Sequence, residues 1–325
     1  MANAIRVHQY GGPEVLVYEG VDVPEPGPGQ VRIRQTAIGV NFIDVYHRTG
    51  LYPQPSMPFI PGSEGAGTVV SVGEGVSEFK PGDRVAYGTA IGAYADERIV
   101  PASALVHVPA GVDDATAAAM MLKGLTAQYL LRRTHVLKAG ETILFHAAAG
   151  GVGLIACQWA KHLGATVIGT VGSADKADLA RQNGCDHVIL YREENFVDRV
   201  REITGGALCD VVYDGVGKDT FPGSLDCLKP FGLFASFGSA SGPVDAFNIG
   251  LLAQKGSLYA TRPTLFTHAS KRESLDAMAA DLFGVIASGA VTIPVHHRAK
   301  LSEAASVHRA LEARETTGAT VMIPG

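Results

Sequence analysis

Short apolar runs broken by turn residues fill the first third of the chain. The runs are AIRVHQY, VLVYEGV, QVRIRQTAIGV, GTVVSVG, DRVAYG and ADERIV, and the breaks between them include PEPGPG, GEG and KPGD. Short runs rich in β-branched residues and bounded by glycine and proline are typical of strands joined by turns. The pattern therefore predicts an all-β, barrel-like unit at the N-terminal end.

The pattern changes from about Leu125 onward. TILFH, TVIGTV, HVIL, DVVYD and LFASFG are apolar without alternation, and segments of helical length separate them. Such strands are buried on both faces, which is typical of a parallel sheet covered by helices. After SLYATRP come two helical patterns, KRESLDAMAADLFGVIASG and SEAASVHRALEAR, and a last strand pattern, ATVMIP. The pattern alone leaves the place of these C-terminal elements open.

The composition favours two domains and a small-molecule ligand. The chain has 325 residues, of which 46% are hydrophobic, enough for a sizeable core in each of two domains. The formal net charge is -5, and no run of Lys and Arg exceeds two residues. Electrostatic capture of nucleic acid or of an anionic membrane is therefore not expected.

No export signal or membrane span is expected, and we predict a cytoplasmic protein. MANAIRVHQYGG has no apolar core of signal-peptide length. The longest uncharged stretch, residues 142–160, is interrupted by AAAGG and is interpreted as a strand, a loop and a helix. The cysteines are widely spaced and are predicted to be reduced thiols: Cys157, Cys185, Cys209 and Cys227.

The strongest motif is ETILFHAAAGGVGLIACQWAKHLGATVIGTV, which predicts a βαβ unit. Laid on the pattern G-x-G-x-x-G, its turn has alanine at the first glycine position, Ala148, and glycine at Gly150, Gly151 and Gly153. Glycines here let the backbone approach a pyrophosphate at a helix N-terminus. Nucleotide binding is favoured by the two flanking buried strands, and an ordinary helix-entry turn is the alternative.

The segment after the second strand of this unit bears on the choice of cofactor. It reads Gly172-Ser173-Ala174-Asp175-Lys176. A small hydroxyl residue and a cation would attract a 2′-phosphate, so NADPH is favoured over NADH. Asp175 is the opposing observation, and it is interpreted either as a ribose contact or as the N-cap of the helix DKADLARQNG.

Residue types that could hold a metal or act as a nucleophile are scattered. Catalytic zinc needs three protein ligands, yet the β-rich part has no cysteine and its histidines are far apart. His47, beside Arg48, is interpreted as a solvated surface residue. No G-x-S-x-G elbow is present. Neither metal catalysis nor a serine nucleophile is therefore expected.

The segment NFIDVYHRTGLYP, residues 41–53, is a candidate substrate site. Asn41 follows a strand, and Tyr46 and Tyr52 are predicted to lie in a turn. Two aromatic faces could sandwich a flat ring, and Asn41 could orient an amide or a carbonyl group. Tyrosines that merely pack a loop are the alternative. A second open question is the role of Glu64 in PGSEGAG, residues 61–67.

These motifs resemble the medium-chain dehydrogenase/reductase superfamily, and within it the zinc-free NADPH:quinone oxidoreductases that include zeta-crystallin. The similarity covers nearly the whole chain through GGPEVL, AIGVNFIDVYHRTGLYP, VGEGVSEFKPGDRV, LKGLTAQYLL, FHAAAGGVGLIACQWAKHLGA, VIGTVGS, SLDCL, SFGS and QKGSLYATRP. It implies an α/β fold with a GroES-like β-barrel catalytic domain, residues 1–124 and 264–325. A Rossmann domain with a doubly wound parallel sheet, residues 125–263, would bind NADPH.

The resemblance also implies that no metal is bound. Zinc-dependent members have cysteine where Asn41 stands and Gly-His-Glu where Gly62, Ser63 and Glu64 stand, so both metal-ligand positions hold other residues. Glu64 has no evident titratable partner in the sequence. It is therefore interpreted as a structural or pocket-shaping residue rather than as a general acid or base.

The same resemblance assigns the site residues and the activity. Asn41, Tyr46 and Tyr52 would line the quinone pocket. Cofactor contacts would come from Asn41, Tyr46, Thr126, Gly150, Gly151, Val152, Gly172, Ser173, Lys176, Tyr191, Val216, Phe237, Gly238, Ser239, Thr261, Arg262 and Arg314. The implied activity is reduction of quinones to semiquinones by one-electron steps, in a homodimer. The alternatives are an NADPH-dependent enone or enoyl-thioester reductase and a non-enzymatic RNA-binding role.

Overall fold

The computed structural model describes residues 2–325, which form two compact units. The first contains the chain through Leu125 together with Ala269–Phe283 and Ile293–Gly325. The second contains Thr126–His268 with Gly284–Thr292. The domain limits 1–124, 125–263 and 264–325 stay a prediction. Along residues 2–325, no helix has both the length and the apolar character needed to span a bilayer.

The N-terminal part of the first unit is built mainly from strands, as its apolar runs predict. In chain order its elements are β1 (Ala2–Val7), β2 (Leu16–Val21), β3 (Gln30–Gly39), α1 (Phe42–Thr49), β4 (Glu64–Val72), β5 (Arg84–Tyr87), β6 (Glu97–Pro101) and β7 (Val106–His107). Short 3-10 helices lie at Pro13–Val15 and Ala102–Ala104. Helix α2 (Asp114–Tyr129) follows and continues as a π-helical turn, Leu130–Thr134.

The second unit alternates strands and helices. Its elements are β8 (Thr142–Phe145), α3 (Gly151–His162), β9 (Thr166–Val171), α4 (Ala174–Gln182), β10 (His187–Leu190), α5 (Phe196–Ile203), β11 (Cys209–Asp214), α6 (Gly223–Asp226), β12 (Leu228–Ser236), α7 (Gly250–Gln254), β13 (Tyr259–Thr261) and α8 (Leu265–His268). The strands are all parallel, in the order β10-β9-β8-β11-β12-β13. This is the order of a doubly wound Rossmann sheet.

The C-terminal elements are α9 (Arg272–Ala287), β14 (Val295–Lys300), the 3-10 helix Leu301–Glu303, α10 (Ala304–Glu312) and β15 (Ala319–Ile323). Strand β15 runs antiparallel to β3, with Val321 opposite Gly39. The sheet of the first unit therefore has the order β14-β15-β3-β4-β5-β7, with β6 also paired to β3. Strands β1 and β2 form a separate antiparallel pair.

Burial along the strands matches the two sequence patterns. In β8, Ile143, Leu144 and Phe145 are all buried, as expected for a strand covered by helices on both faces. In β3 burial alternates, with Val31 and Ile33 inside the first unit's core. The cysteines predicted as reduced thiols are free and buried in the second unit.

Candidate functional site

The parallel sheet gathers most of the predicted cofactor residues at one edge. Because its strands run the same way, their carboxyl ends lie side by side, and the strand order reverses between β8 and β11. Doubly wound sheets bind dinucleotides beside such a reversal. The predicted residues follow the strands in this order: Gly150, Gly151 and Val152 after β8; Gly172 and Ser173 after β9; Tyr191 after β10; Val216 after β11; Phe237, Gly238 and Ser239 after β12; Thr261 and Arg262 at the end of β13.

The turn after β8 has the geometry needed to hold a pyrophosphate. Gly150 is the N-cap of α3 in an extended conformation, and the first N–H groups of a helix have no helical carbonyl to bind. A Cβ atom on Gly153 would lie 2.6 Å from the carbonyl oxygens of both Ala147 and Ala148, too close for any side chain. Only glycine lets the helix start against this turn, and the residues present therefore fit a dinucleotide.

The segment after β9 is arranged around Gly172. A Cβ atom there would lie 2.9 Å from the Tyr191 hydroxyl oxygen and 3.4 Å from Nε of Arg192, so these two side chains crowd the end of β9. Lys176 is half-buried on α4. Arg192 was not among the residues predicted from sequence, although a second cation next to Tyr191 was a readable signal for a 2′-phosphate site.

The interpretation of Asp175 as a helix N-cap is wrong. Helix α4 begins at Ala174, and its N-cap is Ser173. Asp175 is exposed in the first turn, where a negative charge is favoured by the helix dipole. The helix dipole is therefore sufficient reason for a carboxylate at position 175. A contact between Asp175 and the ribose of the cofactor stays a prediction.

A buried carboxylate shapes the loop after β11. Asp214 is fully buried, and its Oδ1 accepts hydrogen bonds from the backbone N–H groups of Val216 and Gly217 at 2.8 and 3.0 Å. Its Oδ2 accepts from the hydroxyls of Thr220 and Ser224 at 2.7 and 2.9 Å. Asp214 thus fixes the backbone at Val216. The sequence analysis missed this residue because it looks like the ordinary end of a strand.

In the first unit, the segment predicted to be a turn around Tyr46 is a helix. The backbone N–H of Asn41 donates to Oδ2 of Asp44 at 2.9 Å, which caps the start of α1. The helix ends at Gly50, whose φ of 82° is left-handed. The prediction was wrong for Tyr46 because caps at both ends, rather than a long apolar period, create this short helix. Tyr52 lies in the turn that follows.

Tyr46 and Tyr52 are brought together, but not as a sandwich. Their ring centroids lie 5.2 Å apart with an interplanar angle of 69°, an edge-to-face contact. Tyr46 is buried and Tyr52 is half-buried. A flat ring does not fit between two rings in contact, so the predicted sandwich is wrong in this geometry. Tyr52 is the less buried of the two and keeps more surface for a ligand.

Glu64 has a charged partner that the sequence analysis did not find. It is fully buried at the start of β4, and Nζ of Lys123 donates to its Oε2 at 2.8 Å. The amide Nδ2 of Asn41 donates to the same oxygen at 2.8 Å, and the backbone N–H of Leu122 donates to Oε1 at 2.8 Å. The statement that Glu64 lacks a titratable partner is therefore wrong, because the fold brings α2 against β4.

A second buried network joins α1 to α10. Oδ2 of Asp44 accepts from the hydroxyl of Tyr94 at 3.0 Å, and that hydroxyl lies 2.9 Å from Nε2 of His308. Nδ1 of His308 lies 3.0 Å from Arg48, which forms a bidentate pair with Glu312. Because arginine can only donate, Nδ1 accepts and Nε2 carries the hydrogen. In this series Arg48 donates to His308, His308 donates to Tyr94, and Tyr94 donates to Asp44.

Burial sets the charge of the titratable groups in this network. It raises the pKa of Asp44 to about 7, although its bonds to Asn41 and Tyr94 oppose the shift. It lowers the pKa of His308 to about 3, and the nearby Arg48 adds to that effect. Burial also lowers the pKa of His47 to about 4. The interpretation of His47 as solvated is wrong, because α1 turns its side chain inward.

The residues at the former metal positions do not fit zinc. The side-chain nitrogen of Asn41 is committed as a donor to Glu64. The hydroxyl of Ser63 is buried and makes no hydrogen bond to any of the described residues. Nowhere in residues 2–325 do three or more His, Cys, Asp or Glu side chains come together as metal ligands would. Among the described residues, this site therefore offers no set of ligands for zinc.

The remaining predicted residues lie on other elements. Thr126 is buried on α2, three positions after Lys123. Arg314 is exposed just after α10 and has a left-handed φ of 59°. The part of each in cofactor binding stays a prediction.

Comparison with known proteins shows what the chain is similar to. Residues 27–110 match the model of the alcohol dehydrogenase GroES-like domain, and residues 151–280 match that of the zinc-binding dehydrogenases. The chain is 58% identical to a quinone oxidoreductase of Pseudomonas aeruginosa over the full length of both proteins. It is 47% identical to a 2-haloacrylate reductase of a Burkholderia species, in a match that covers 100% of this chain and 99% of that protein.

A solved structure extends the similarity to three dimensions. The structure of Escherichia coli quinone oxidoreductase complexed with NADPH superposes with a TM-score of 0.97 at 49% identity. The match covers 99% of this chain and 100% of the other.

Proposed function

The chain belongs to the medium-chain dehydrogenase/reductase superfamily, within its zinc-free quinone oxidoreductases, and from this premise we propose that it reduces quinones with NADPH. The observation that carries the proposal is the glycine turn of α3 beside the strand reversal. The chain that contains it is 50–58% identical to three proteins named quinone oxidoreductases. A solved relative was crystallised with NADPH, and the glycine turn of this chain fits a dinucleotide.

The second unit supplies the groups that would hold NADPH. The N-terminus of α3 would take the pyrophosphate, because its first N–H groups are free of helical partners and carry the positive end of the dipole. Ser173, Lys176, Tyr191 and Arg192 would surround the 2′-phosphate. Asp214 would hold the loop at Val216 in place. When bound, NADPH supplies the reducing equivalents from its nicotinamide ring.

The first unit supplies the residues proposed for the substrate. Tyr46 and Tyr52 offer aromatic surface on which a quinone ring can stack, and their edge-to-face contact keeps both rings in place. Asn41 is fixed by Glu64 and by its own bond to Asp44. A quinone is already an electrophile, so binding, orientation and exclusion of water are the main tasks left to the protein.

A panel of electron acceptors tests the proposal. Purified protein would be mixed with NADPH and, in separate reactions, with 1,4-quinones, 1,2-quinones, enones and an enoyl thioester, and NADPH oxidation would be followed by absorbance. We expect the highest kcat/KM with quinones. Turnover of enones or thioesters without turnover of any quinone would reject the proposal.

Reduction of an activated alkene is the second candidate. It is favoured by the relative named 2-haloacrylate reductase, because a haloacrylate, like an enone, is an electron-poor alkene. In this case 2-chloroacrylate would be turned over with a kcat/KM at least equal to that of the best quinone. The same panel decides between the two candidates when this acid is included.

The number of electrons per step is a separate part of the proposal. The family resemblance favours one-electron transfer, which would release quinone radicals into solution. Electron paramagnetic resonance of an anaerobic reaction mixture should then show a radical signal that grows with turnover. A quinol product with no radical signal at any time would instead support transfer of a hydride.

An RNA-binding role is disfavoured by the net charge of -5, because RNA binding is driven largely by basic residues that neutralise phosphates. Tight, salt-sensitive RNA binding by a protein that does not oxidise NADPH would reverse this judgement.

A further inference from the structure

Lys123 is a buried cation that has no part in the binding of NADPH and quinone proposed above. Its side chain is 7% exposed, and its ammonium group lies 2.8 Å from Oε2 of Glu64, which is fully buried. Removing two charges from water is costly, and a buried ion pair is weak evidence of stability by itself. A pair in this position therefore calls for a role beyond holding β4 and α2 together.

The two partners of the pair differ in how many of their hydrogen bonds are made. Glu64 accepts from Leu122, Asn41 and Lys123, so each of its carboxylate oxygens has a donor. Lys123 has three N–H donors, and Glu64 is its one hydrogen-bond partner in the described part of the chain. The ammonium group therefore keeps N–H donors for a ligand, whereas both carboxylate oxygens already have a donor.

The surroundings of Lys123 place it among the proposed site residues. Its Nζ and the side-chain Nδ2 of Asn41 converge on the same oxygen atom of Glu64, and Asn41 is a proposed substrate contact. Lys123 also precedes Thr126, a predicted cofactor contact, by three positions on α2. The buried ammonium group of Lys123 is thus a positive charge that shares a carboxylate oxygen with Asn41.

We propose that the ammonium group of Lys123 binds the carbonyl oxygen of the substrate and gives it a proton as it is reduced, in the place where metal-dependent relatives carry zinc. The proposal rests on the function proposed above. A charge-assisted hydrogen bond strengthens as negative charge builds up on the oxygen, so it favours the reduced form over the quinone.

The proton balance of this step is closed. NADPH gives up two electrons and one proton, whether both electrons pass to one quinone and give a quinol or pass singly to two quinones and give two neutral semiquinones. Either set of products contains two added protons, so one proton more is needed than NADPH supplies. The other proton leaves Nζ of Lys123 as an O–H bond forms on the substrate. The resulting amine takes up a proton from water before the next turnover. Glu64 accepts a hydrogen bond from the ammonium group and holds it in place.

A double variant tests the proposal without leaving a lone buried charge. In K123M/E64Q, the glutamine keeps the shape of Glu64 and can accept from Leu122. We expect kcat for quinone reduction to fall by about 100-fold, in the range typical of a lost general acid, with the dissociation constant for NADPH unchanged. K255M/D226N, which removes an ion pair in the second unit, is the matched control and should keep the kcat of the wild type.

Spectroscopy of a bound phenol provides a readout that does not depend on turnover. With 4-nitrophenol as a probe of the reduced oxygen, we expect wild-type protein holding NADP+ to bind the phenolate more tightly than the phenol, which lowers the apparent pKa of the bound probe. The double variant should lose this preference. An equal apparent pKa for free and bound probe in the wild type would overturn the proposal even if the variant does not fold.

The proposed quinone reduction and the role of Lys123 can be rejected independently. A wild-type protein that reduces no quinone would reject the proposed function, whatever the variants do. A wild type that reduces quinones, together with a folded K123M/E64Q variant whose kcat is within about twofold of it, would overturn the role of Lys123 alone.

Discussion

Asp44 is a buried carboxylate on the same short helix as the proposed substrate residue Tyr46. Its Oδ2 accepts two hydrogen bonds, whereas its Oδ1 is buried without a hydrogen-bond partner among the described residues. Desolvation therefore outweighs the two donors and raises its pKa to about 7. The charge on Asp44, and with it the stability of the protein, should change across the neutral pH range.

Replacing Asp44 with asparagine should remove this pH dependence. The folded protein keeps the proton on Asp44 up to about pH 7, whereas the unfolded chain loses it near 3.8. Between these values the unfolded state binds fewer protons, so the wild type loses about 1.4 kcal/mol of stability per pH unit as pH rises. The difference between the melting temperature of D44N and that of the wild type should shift in favour of D44N as the pH rises to about 7. Above about pH 7 this difference should stay constant.

The exposed Asp178 provides the control for this measurement, because its side chain is 72% exposed and D178N should follow the wild type at every pH. Parallel melting curves for D44N and wild type between about pH 4 and pH 7 would show that Asp44 has no raised pKa in the folded protein.

Cofactor preference should depend on Lys176. Loss of a charge-assisted bond to the 2′-phosphate should raise the KM for NADPH about tenfold in K176A and leave the KM for NADH nearly unchanged. Arg181 lies on the same helix and pairs with Asp178, so R181A is the matched control. Equal effects of K176A on both cofactors, measured by steady-state kinetics, would remove Lys176 from the phosphate site.

Single residues differ in how far the sequence could predict them. The turn glycines were readable because phosphate binding needs them at fixed spacing beside a strand. The partnership of Glu64 with Lys123 was not, because the two residues are 59 positions apart and meet only when α2 packs against β4. Asp214 likewise became recognisable only once the strand ends were placed together, whereas Arg192 could have been found from its position next to Tyr191.

Helix α1 depends on contacts made elsewhere in the first unit. It is eight residues long, too short to be stable alone, and Asp44 and Arg48 connect it to Tyr94 and α10. The tail containing α10 and β15 could not be placed from apolar pattern alone, because β15 pairs with β3 from the opposite end of the chain. Only the family resemblance assigned it.

Tyr94→Phe should loosen this connection. The change leaves Oδ2 of Asp44 with one donor and takes away the acceptor of His308 Nε2, so we expect a loss of about 1–3 kcal/mol of stability. Tyr18→Phe on β2 is the control, since that residue is 39% exposed, and it should stay within about 0.5 kcal/mol of the wild type. Thermal or urea unfolding measures both. A Y94F variant as stable as Y18F would show that the network contributes little.

The molecule as a whole is expected to form a homodimer, by resemblance to its family. Within the second unit, β13 is an edge strand that carries the exposed Tyr259, and the exposed Phe231 donates its backbone N–H to Gly256 just before that strand. Exposed apolar edges of this kind are prone to pair with another chain. We expect a dimer through this edge.

The variant F231E/Y259E should therefore shift the molar mass from dimer toward monomer in light scattering after gel filtration. Val136 is also apolar and exposed in the second unit, and V136E is the control. A dimer that persists in F231E/Y259E would place the contact elsewhere, and a monomeric wild type would end the dimer proposal.

Quinone reduction by NADPH, at a site that needs no metal, is the central proposal for this protein. Anaerobic titration of NADPH with 1,4-benzoquinone, with a metal chelator present and a protein-free reaction subtracted, tests this most directly. We predict protein-dependent oxidation of NADPH in proportion to the quinone added, at a rate that the chelator does not change. Absence of protein-dependent oxidation, or activity lost to the chelator and restored by zinc, would contradict the account.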